Sequence, residues 1–245
     1  MRSHELAETL GRPVASVHRV AGGDINEAWA VELEDGERLF VKARAAAAPD
    51  EYAAEETGLA WLGAAGVRVP RVIAATGRFL ALEWIDEGSI DEEALGRDLA
   101  ALHAAGAPAF GFTPHGGAVR LGGVELPLHE GDDWAAFYGR GWIAPLADQA
   151  FERGSLSREG RAAIERVCER MGDLAGPPED PARLHGDLWS GNVMAATDGR
   201  PVLIDPAAYG GHREVDLAML RLFGRISPTT LAAYEERAPL AAGHE

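Results

Sequence analysis

Apolar positions along this chain follow two periods, and the change between them divides the sequence. From residue 14 to residue 85 the dominant period is two. Val17–Val20 reads as a strand broken at Gly22-Gly23. Ala28–Leu33 resumes it with Trp29, Val31 and Leu33 on one face, and Asp35-Gly36 turns the chain into Leu39-Phe40-Val41-Lys42. A second hairpin, Val72–Ala75 and Phe79–Ile85, turns at Thr76-Gly77. Two helices interrupt this pattern. Ser3 caps one that carries Leu6 and Leu10 and stops at Gly11, with Pro13 beyond. The other spans 50–64, where Glu55 shares a face with Leu59 by i,i+4 spacing and Glu56 turns to solvent.

Beyond Asp86-Glu87-Gly88-Ser89 the helical period takes over. Ser89 and Glu92 form a capping box ahead of Leu95, Leu99, Leu102 and His103, the last expected to pack against its neighbours. Residues 106–128 read as a long ordered loop anchored by Phe110-Gly111-Phe112, and two helices are expected at 133–151 and 157–174. Trp134, Phe137, Tyr138 and Ile143 give the first of these an aromatic stripe assigned to the core. The prolines at 177, 178 and 181 end the helical run, and a short hairpin, Val193–Ala196 and Val202–Ile204, turns at Asp198-Gly199. The pattern predicts an α+β chain in two lobes. A small N-lobe (1–85) carries an antiparallel sheet plus helix, a mostly helical C-lobe spans 86–245, and residues 86–89 form the hinge.

Composition narrows the class. A net charge of −16 and a pI near 4.9 disfavour nucleic acid and anionic lipid as partners, because no basic stripe offsets the acidic excess. Cys168 is the only cysteine, so no internal disulfide can form. Its setting among Ile164, Val167 and Met171 predicts a buried thiol in a reducing compartment. Met1–Glu5 leads into no apolar signal region, and no run of eighteen apolar residues occurs, so a soluble cytoplasmic protein is expected, with no membrane partner.

The candidate chemistry lies in His185-Gly186-Asp187-Leu188-Trp189-Ser190-Gly191-Asn192 and in Val202-Leu203-Ile204-Asp205. Phosphoryl transfer needs a group to accept the acceptor hydroxyl's proton, oxygen ligands for Mg²⁺, and cationic and backbone donors for a triphosphate. Asp187 suits the first role, and Asn192 and Asp205 suit the second. Lys42 suits the third, oriented by Glu55 and preceded by a glycine turn, Gly22 and Gly23 with Asn26, whose backbone can approach phosphates. The backbone of Glu83 and Ile85, at the end of the last strand, would meet the adenine edge of ATP. Taken singly, Lys42 is an edge charge, Asp187 and Asn192 are turn formers, and Asp205 is a strand-end cap before Pro206. Their order along one chain argues for the joint reading. His185 is placed beneath the loop as an orienting residue rather than as the base. Asp216 sits in the first turn of a helix, from which it can brace the same loop. No P-loop lysine motif and no dinucleotide glycine motif occurs.

At these residues the sequence resembles the fructosamine kinases, or ketosamine-3-kinases, of the aminoglycoside-phosphotransferase branch of the protein-kinase-like fold. The resemblance covers most of the chain. Its carriers are Gly22–Asn26, Phe40-Val41-Lys42, Glu55 with Gly58-Leu59, Val69-Pro70, Phe110-Gly111-Phe112, His185–Asn192, Ile204–Ala207, Tyr209-Gly210 and His212–Ala218. His-Gly-Asp alone indicates only the superfamily, and Trp-Ser-Gly-Asn with the Asp-Pro-Ala continuation narrows it. The resemblance implies ATP- and Mg²⁺-dependent phosphorylation of the sugar 3-hydroxyl of a ketosamine such as a fructosamine or ribulosamine. The product is unstable and frees the amine, which makes the activity a deglycation or repair step on glycated amines or proteins. It also implies that Trp189 stacks on the sugar or its linked group.

Three departures accompany the likeness. Asp24 stands where some relatives carry a redox-sensitive cysteine, and Gly141-Trp142 stands where arginines are expected. Relatives also continue past the segment like Ala238-Pro239-Leu240, with further helices expected near the acceptor pocket. A kinase of an aminoglycoside, choline or thio-sugar remains the alternative within this fold, and a nucleotide-binding pseudokinase the alternative outside catalysis.

Overall fold

The computed structural model describes residues 3–20, 26–122, 124–224 and 226–242. The expected glycine turn at Gly22 and Gly23 lies outside the described residues. The N-terminal part is a five-stranded antiparallel sheet ordered β1-β2-β3-β5-β4, formed by β1 (Val14–Val20), β2 (Glu27–Leu33), β3 (Arg38–Ala43), β4 (Val72–Ala75) and β5 (Leu80–Glu83). The β2–β3 turn closes through Gly36 at φ +86°, with the Leu33 N–H donating to the Glu37 carbonyl at 2.9 Å. The register sets Val31 opposite Leu39 and Ala28 opposite Lys42.

Strand alternation gives the sheet two apolar faces. Trp29, Val31, Leu33, Leu39 and Val41 pack with Leu6 of α1 (Ser3–Leu10) on one side. Leu80 and Leu82 pack with Tyr52 and Leu59 of α2 (Glu51–Gly63) on the other. Helix α2 serves two cores, because Leu62 and the neighbouring Val67 join a cluster containing Leu99, Leu102, Leu188, Leu203, Leu217 and Tyr234. Each such side chain fully buried contributes roughly 2 kcal/mol. The helix carrying Glu55 is therefore seated on the helical part as well as on the sheet.

In the helical part, α3 (Glu92–Ala104) packs along α9 (Pro228–Glu235). The contact is close because Gly96 has no side chain. A Cβ there would lie 2.2 Å from the Thr230 carbonyl oxygen. Helix α3 begins later than the Ser89–Glu92 capping box predicts. Asp91 is the N-cap and accepts the Ala94 N–H, while the Gly88 N–H donates to Ala195 and the Asp91 N–H to Gly199. Those bonds hold the chain extended against the hairpin of β9 (Val193–Ala195) and β10 (Pro201–Leu203) until residue 91.

Two further expectations need correction. Residues 106–128 contain a hairpin, β6 (Val119–Leu121) and β7 (Val124–Leu126), whose three-residue strands are too short to register a period of two. Cys168 is half-buried, because α6 (Arg158–Glu169) buries none of its residues and Val167 is 43% exposed. The helix expected at 133–151 is present as α4 (Trp134–Ala136), a π-helical stretch (Phe137–Ile143) containing Gly139 and Gly141, and α5 (Ala144–Glu152). Phe137 and Trp142 are core residues here, and Trp142 stacks on Tyr209 with centroids 4.5 Å apart, which gives the Gly141-Trp142 pair a packing role. No helix among the described residues is long and apolar enough to cross a membrane.

Candidate active site

One strand pairing that the residue pattern does not announce builds the site. β8 (Ala182–Leu184) pairs antiparallel with β11 (Tyr209–Gly211), setting Leu184 opposite Tyr209. The chain leaves β8 through His185, Gly186 and Asp187 and enters β11 after Asp205, so this pairing brings the two segments together. A Cβ on Gly186 would lie 2.1 Å from the Ala207 carbonyl oxygen, and Gly186 adopts φ +84°. Only glycine fits both the space and the dihedral.

Asp216, in the first turn of α8 (Glu214–Leu222), is fully buried beneath this loop. Its Oδ2 accepts the His185 backbone N–H at 2.8 Å, and its Oδ1 accepts the Gly186 N–H at 3.0 Å. His103 Nε2 lies 3.3 Å from Asp216 Oδ2, and His103 Nδ1 lies 2.9 Å from the Tyr234 hydroxyl. His103 is packed as expected, but against an acidic partner that its sequence neighbourhood did not reveal. His185 is wholly buried, and burial holds its imidazole below the usual pKa. Its Nε2 meets the Ile204 carbonyl at 2.8 Å, and a carbonyl can only accept. Nε2 therefore carries the hydrogen, and Nδ1 accepts the Asp187 N–H at 3.3 Å. With both ring nitrogens committed, His185 orients the loop and has no site left to receive a substrate proton.

Asn192, 5% exposed, donates from Nδ2 to the Asp187 carbonyl at 2.8 Å and to Asp187 Oδ2 at 3.3 Å. Its amide nitrogen is thereby used and its oxygen is what it offers a metal. Burial raises the Asp187 carboxyl above its ordinary pKa, with His185 and the Asn192 bond pulling the other way. Asp205 has φ +53° and is the only described residue other than glycine with positive φ, a backbone cost of the kind that concentrates at functional positions.

Lys42 is 4% exposed, with Nζ 2.6 Å from Glu55 Oε2 and 2.7 Å from Asp205 Oδ1. Burial opposes its charge, but the two carboxylates outweigh that and hold the ammonium ionised. Burial also pushes Glu55 up to about 7 against the pull of Lys42, and its Oε1 has no hydrogen-bond partner. Asn26 is placed by the Tyr52 hydroxyl, which donates to its Oδ1 at 3.2 Å. At the sheet end, the Glu83 N–H is already bonded to the Arg71 carbonyl at 2.9 Å. Of the Glu83 backbone, the carbonyl is what remains for an adenine, and Ile85 follows it in the chain. Trp189 is 41% exposed beside the loop, its ring folded over Gly191, where a Cβ would lie 2.3 Å from the indole.

Lys42, Glu55, Asn26, Asp187 and Asp205 line one cleft of about 170 Å³. His115, Val119 and Arg120 form another wall of it, and the residue pattern singled out none of the three. They belong to the segment read as a loop, and no chemical motif marks them.

A five-stranded antiparallel sheet joined to a helical part, with this cleft between them, defines a phosphotransferase of the kinase-like type. The whole chain, residues 1–245, matches the model of the fructosamine kinase family. The chain belongs to the fructosamine kinase family, phosphotransferases with an alcohol group as acceptor. It is 38% identical over 220 residues to a probable ketoamine kinase of Thermus thermophilus, covering 89% of this chain and 77% of that protein. A crystal structure assigned as a fructosamine-3-kinase from Thermobifida fusca superposes with a TM-score of 0.87 at 42% identity, covering 99% of this chain and 85% of that one. The fold alone extends to a macrolide 2'-phosphotransferase of type I, with a TM-score of 0.68 at 19% identity, covering 97% of this chain and 81% of that one.

Proposed function

We propose that this chain transfers the terminal phosphoryl group of ATP to the 3-hydroxyl of a ketosamine, a fructosamine or ribulosamine borne on a small amine or a protein. The observation that carries the reading is the convergence of Lys42, Glu55, Asp187 and Asp205 on one cleft, with Asn192 behind it bonded to Asp187. In this reading residues 1–85 are the ATP-binding lobe and 86–245 the acceptor lobe, working in the cytoplasm. Lys42 holds the phosphates and Glu55 holds Lys42. The Glu83 carbonyl and the Ile85 backbone meet adenine, and Gly22, Gly23 and Asn26 are the residues assigned to the phosphates.

The oxygen donors Asn192 and Asp205 fit Mg²⁺, a hard cation that takes carboxylate and amide oxygens. When bound, it supplies charge neutralisation on the phosphates. Asp187 receives the proton of the acceptor hydroxyl. The new bond joins the sugar O3 to the γ-phosphorus, the bond from that phosphorus to the β–γ bridging oxygen breaks, and ADP leaves. Asp187 is suited to this because burial raises its proton affinity while Asn192 and the Asp187 N–H contact to His185 keep its carboxylate and backbone aimed. Trp189, exposed two residues beyond the base, offers its ring to the sugar or to the amine attached to it.

A screen of ATP consumption across ribulosamine, fructosamine, aminoglycosides and choline tests the reading, with phosphorus NMR to locate the modified oxygen. Turnover on a ketosamine with phosphate on O3 is expected. Turnover confined to an aminoglycoside or choline would overturn the substrate class and keep the reaction type.

A further inference from the structure

The β6–β7 hairpin brings one cation to the cleft that the family motifs do not include. Val119, Leu121, Val124 and Leu126 pack into the core formed by Phe110, Phe137, Trp142 and Tyr209, which fixes the hairpin on the helical part. Arg120, between two of these anchors, lines the same cleft as Asp187, Asp205 and Lys42. Arg120 therefore shares one cleft wall with the residues assigned to the phosphoryl group and its acceptor.

Lys42, Arg44 and Arg120 all line the cleft; Arg44 is tied to the largely buried Glu51, and the bonding of Lys42 and Arg120 differs. Lys42 is committed through buried contacts to Glu55 and Asp205. Arg120 is itself only 19% exposed, but it is paired with carboxylates that face water: Asp50 Oδ1 at 3.0 Å, 58% exposed, and Glu125 Oε2 at 3.1 Å, 59% exposed. Ion pairs to exposed carboxylates are weak and screened. A phosphoryl group entering the cleft offers the guanidinium two oxygens in the fork geometry it binds best, in a drier place.

We infer that Arg120 is a catalytic residue of this chain, a guanidinium that leaves Asp50 and Glu125 to bind the oxygens of the phosphoryl group during transfer. This rests on the phosphotransfer reading above and adds to it a source of positive charge from the acceptor side. Charge on the transferring group is spread over its three equatorial oxygens in the transition state, so a cation placed there lowers the barrier more than it tightens ATP. The competing role for Arg120 is a clasp that ties the hairpin to α2 through Asp50.

The affinities of the full chain for Mg-ADP, alone and with fluoroaluminate as the phosphoryl mimic, separate the two roles by titration calorimetry. This measurement needs no acceptor, so a failure of the ketosamine reading does not affect it. The wild-type chain is expected to bind Mg-ADP at least tenfold tighter with fluoroaluminate. Arg120→Met should lose most of that gain with Mg-ADP affinity within about twofold of wild type, and Arg120→Lys should recover part of it. The Asp50→Asn, Glu125→Gln double variant should keep the gain, because its arginine is intact. Under the clasp, the double variant would lose as much as Arg120→Met. That result overturns the inference, as does an Arg120→Met chain that keeps the full gain or a wild-type chain that shows none. If Arg120→Met does not fold, the double variant and Arg120→Lys still decide the matter.

Discussion

The two sides of the cleft meet at Asp205, but different physics holds each. On the side of the loop, Asp187 is placed by backbone: two amide N–H groups on the buried Asp216, one carbonyl on His185, and a glycine wedged against Ala207. On the side of the sheet, Lys42 is placed by charge, through contacts of 2.6 and 2.7 Å to two carboxylates. Each bond of the loop pairs a side chain with a backbone group and closes around a glycine, so its position depends on shape, whereas Lys42 is held by two carboxylates and depends on their charge. Asp187 should therefore be intolerant of steric change, and Lys42 tolerant of shape and sensitive to pH.

The largest effect that sharpens this contrast is expected at Gly186. Gly186→Ala introduces a Cβ 2.1 Å from the Ala207 oxygen at φ +84°, and a loss of roughly 3 kcal/mol in unfolding free energy, with turnover down at least a hundredfold, is expected. Denaturant unfolding and a turnover assay check it. Asp216→Asn follows, because an amide replaces one of two accepting oxygens with a donor facing a backbone N–H. About 2–3 kcal/mol of stability is expected to go, read by thermal melting. Lys42→Met is expected to raise the KM for ATP about tenfold and also to cost stability, because it leaves the buried Glu55 without its cation.

The smallest effect is the pH response, and its two signs oppose each other. Glu55 is pushed up to about 7 by burial, so in the folded chain it takes a proton as pH falls through 7, and the unfolded chain does so only near the ordinary carboxylate value. Between those two values the folded state binds the extra proton, and this group's contribution to stability is lost as pH rises toward 7. ATP use runs the other way, because protonating Glu55 removes one anchor of Lys42. The KM for ATP should rise a few-fold from pH 8 to pH 6, and Glu55→Gln should flatten that profile. A wild-type profile as flat as the variant's would remove the contrast between the two sides.

Much of this site is legible in the residue order because each part leaves a local mark. Strand alternation puts Lys42 at the end of an apolar run, i,i+4 spacing puts Glu55 on the inner face of α2, and Asp187, Asn192 and Asp205 fall in a recognisable order. What the pattern does not carry is long-range. His103 lies 113 residues from Asp216, and Arg120 lies 70 residues from Asp50, so no window along the chain contains either pair. The β6–β7 hairpin escapes for a different reason, since three residues complete barely one alternation. The capping box at Ser89 is a local signal overruled by a tertiary one, the pairing of Gly88 with Ala195.

In the proposed reaction Asp187 takes the proton of a ketosamine 3-hydroxyl. Phosphorus NMR of the wild-type and Asp187→Ala chains, each mixed with Mg-ATP and ribulosamine, tests it most directly. A 3-phosphate resonance is expected to grow with the wild type and at least a thousandfold slower with Asp187→Ala, with Mg-ATP affinity within about threefold of wild type. Equal rates from the two chains, or phosphate on an oxygen other than O3, would contradict it.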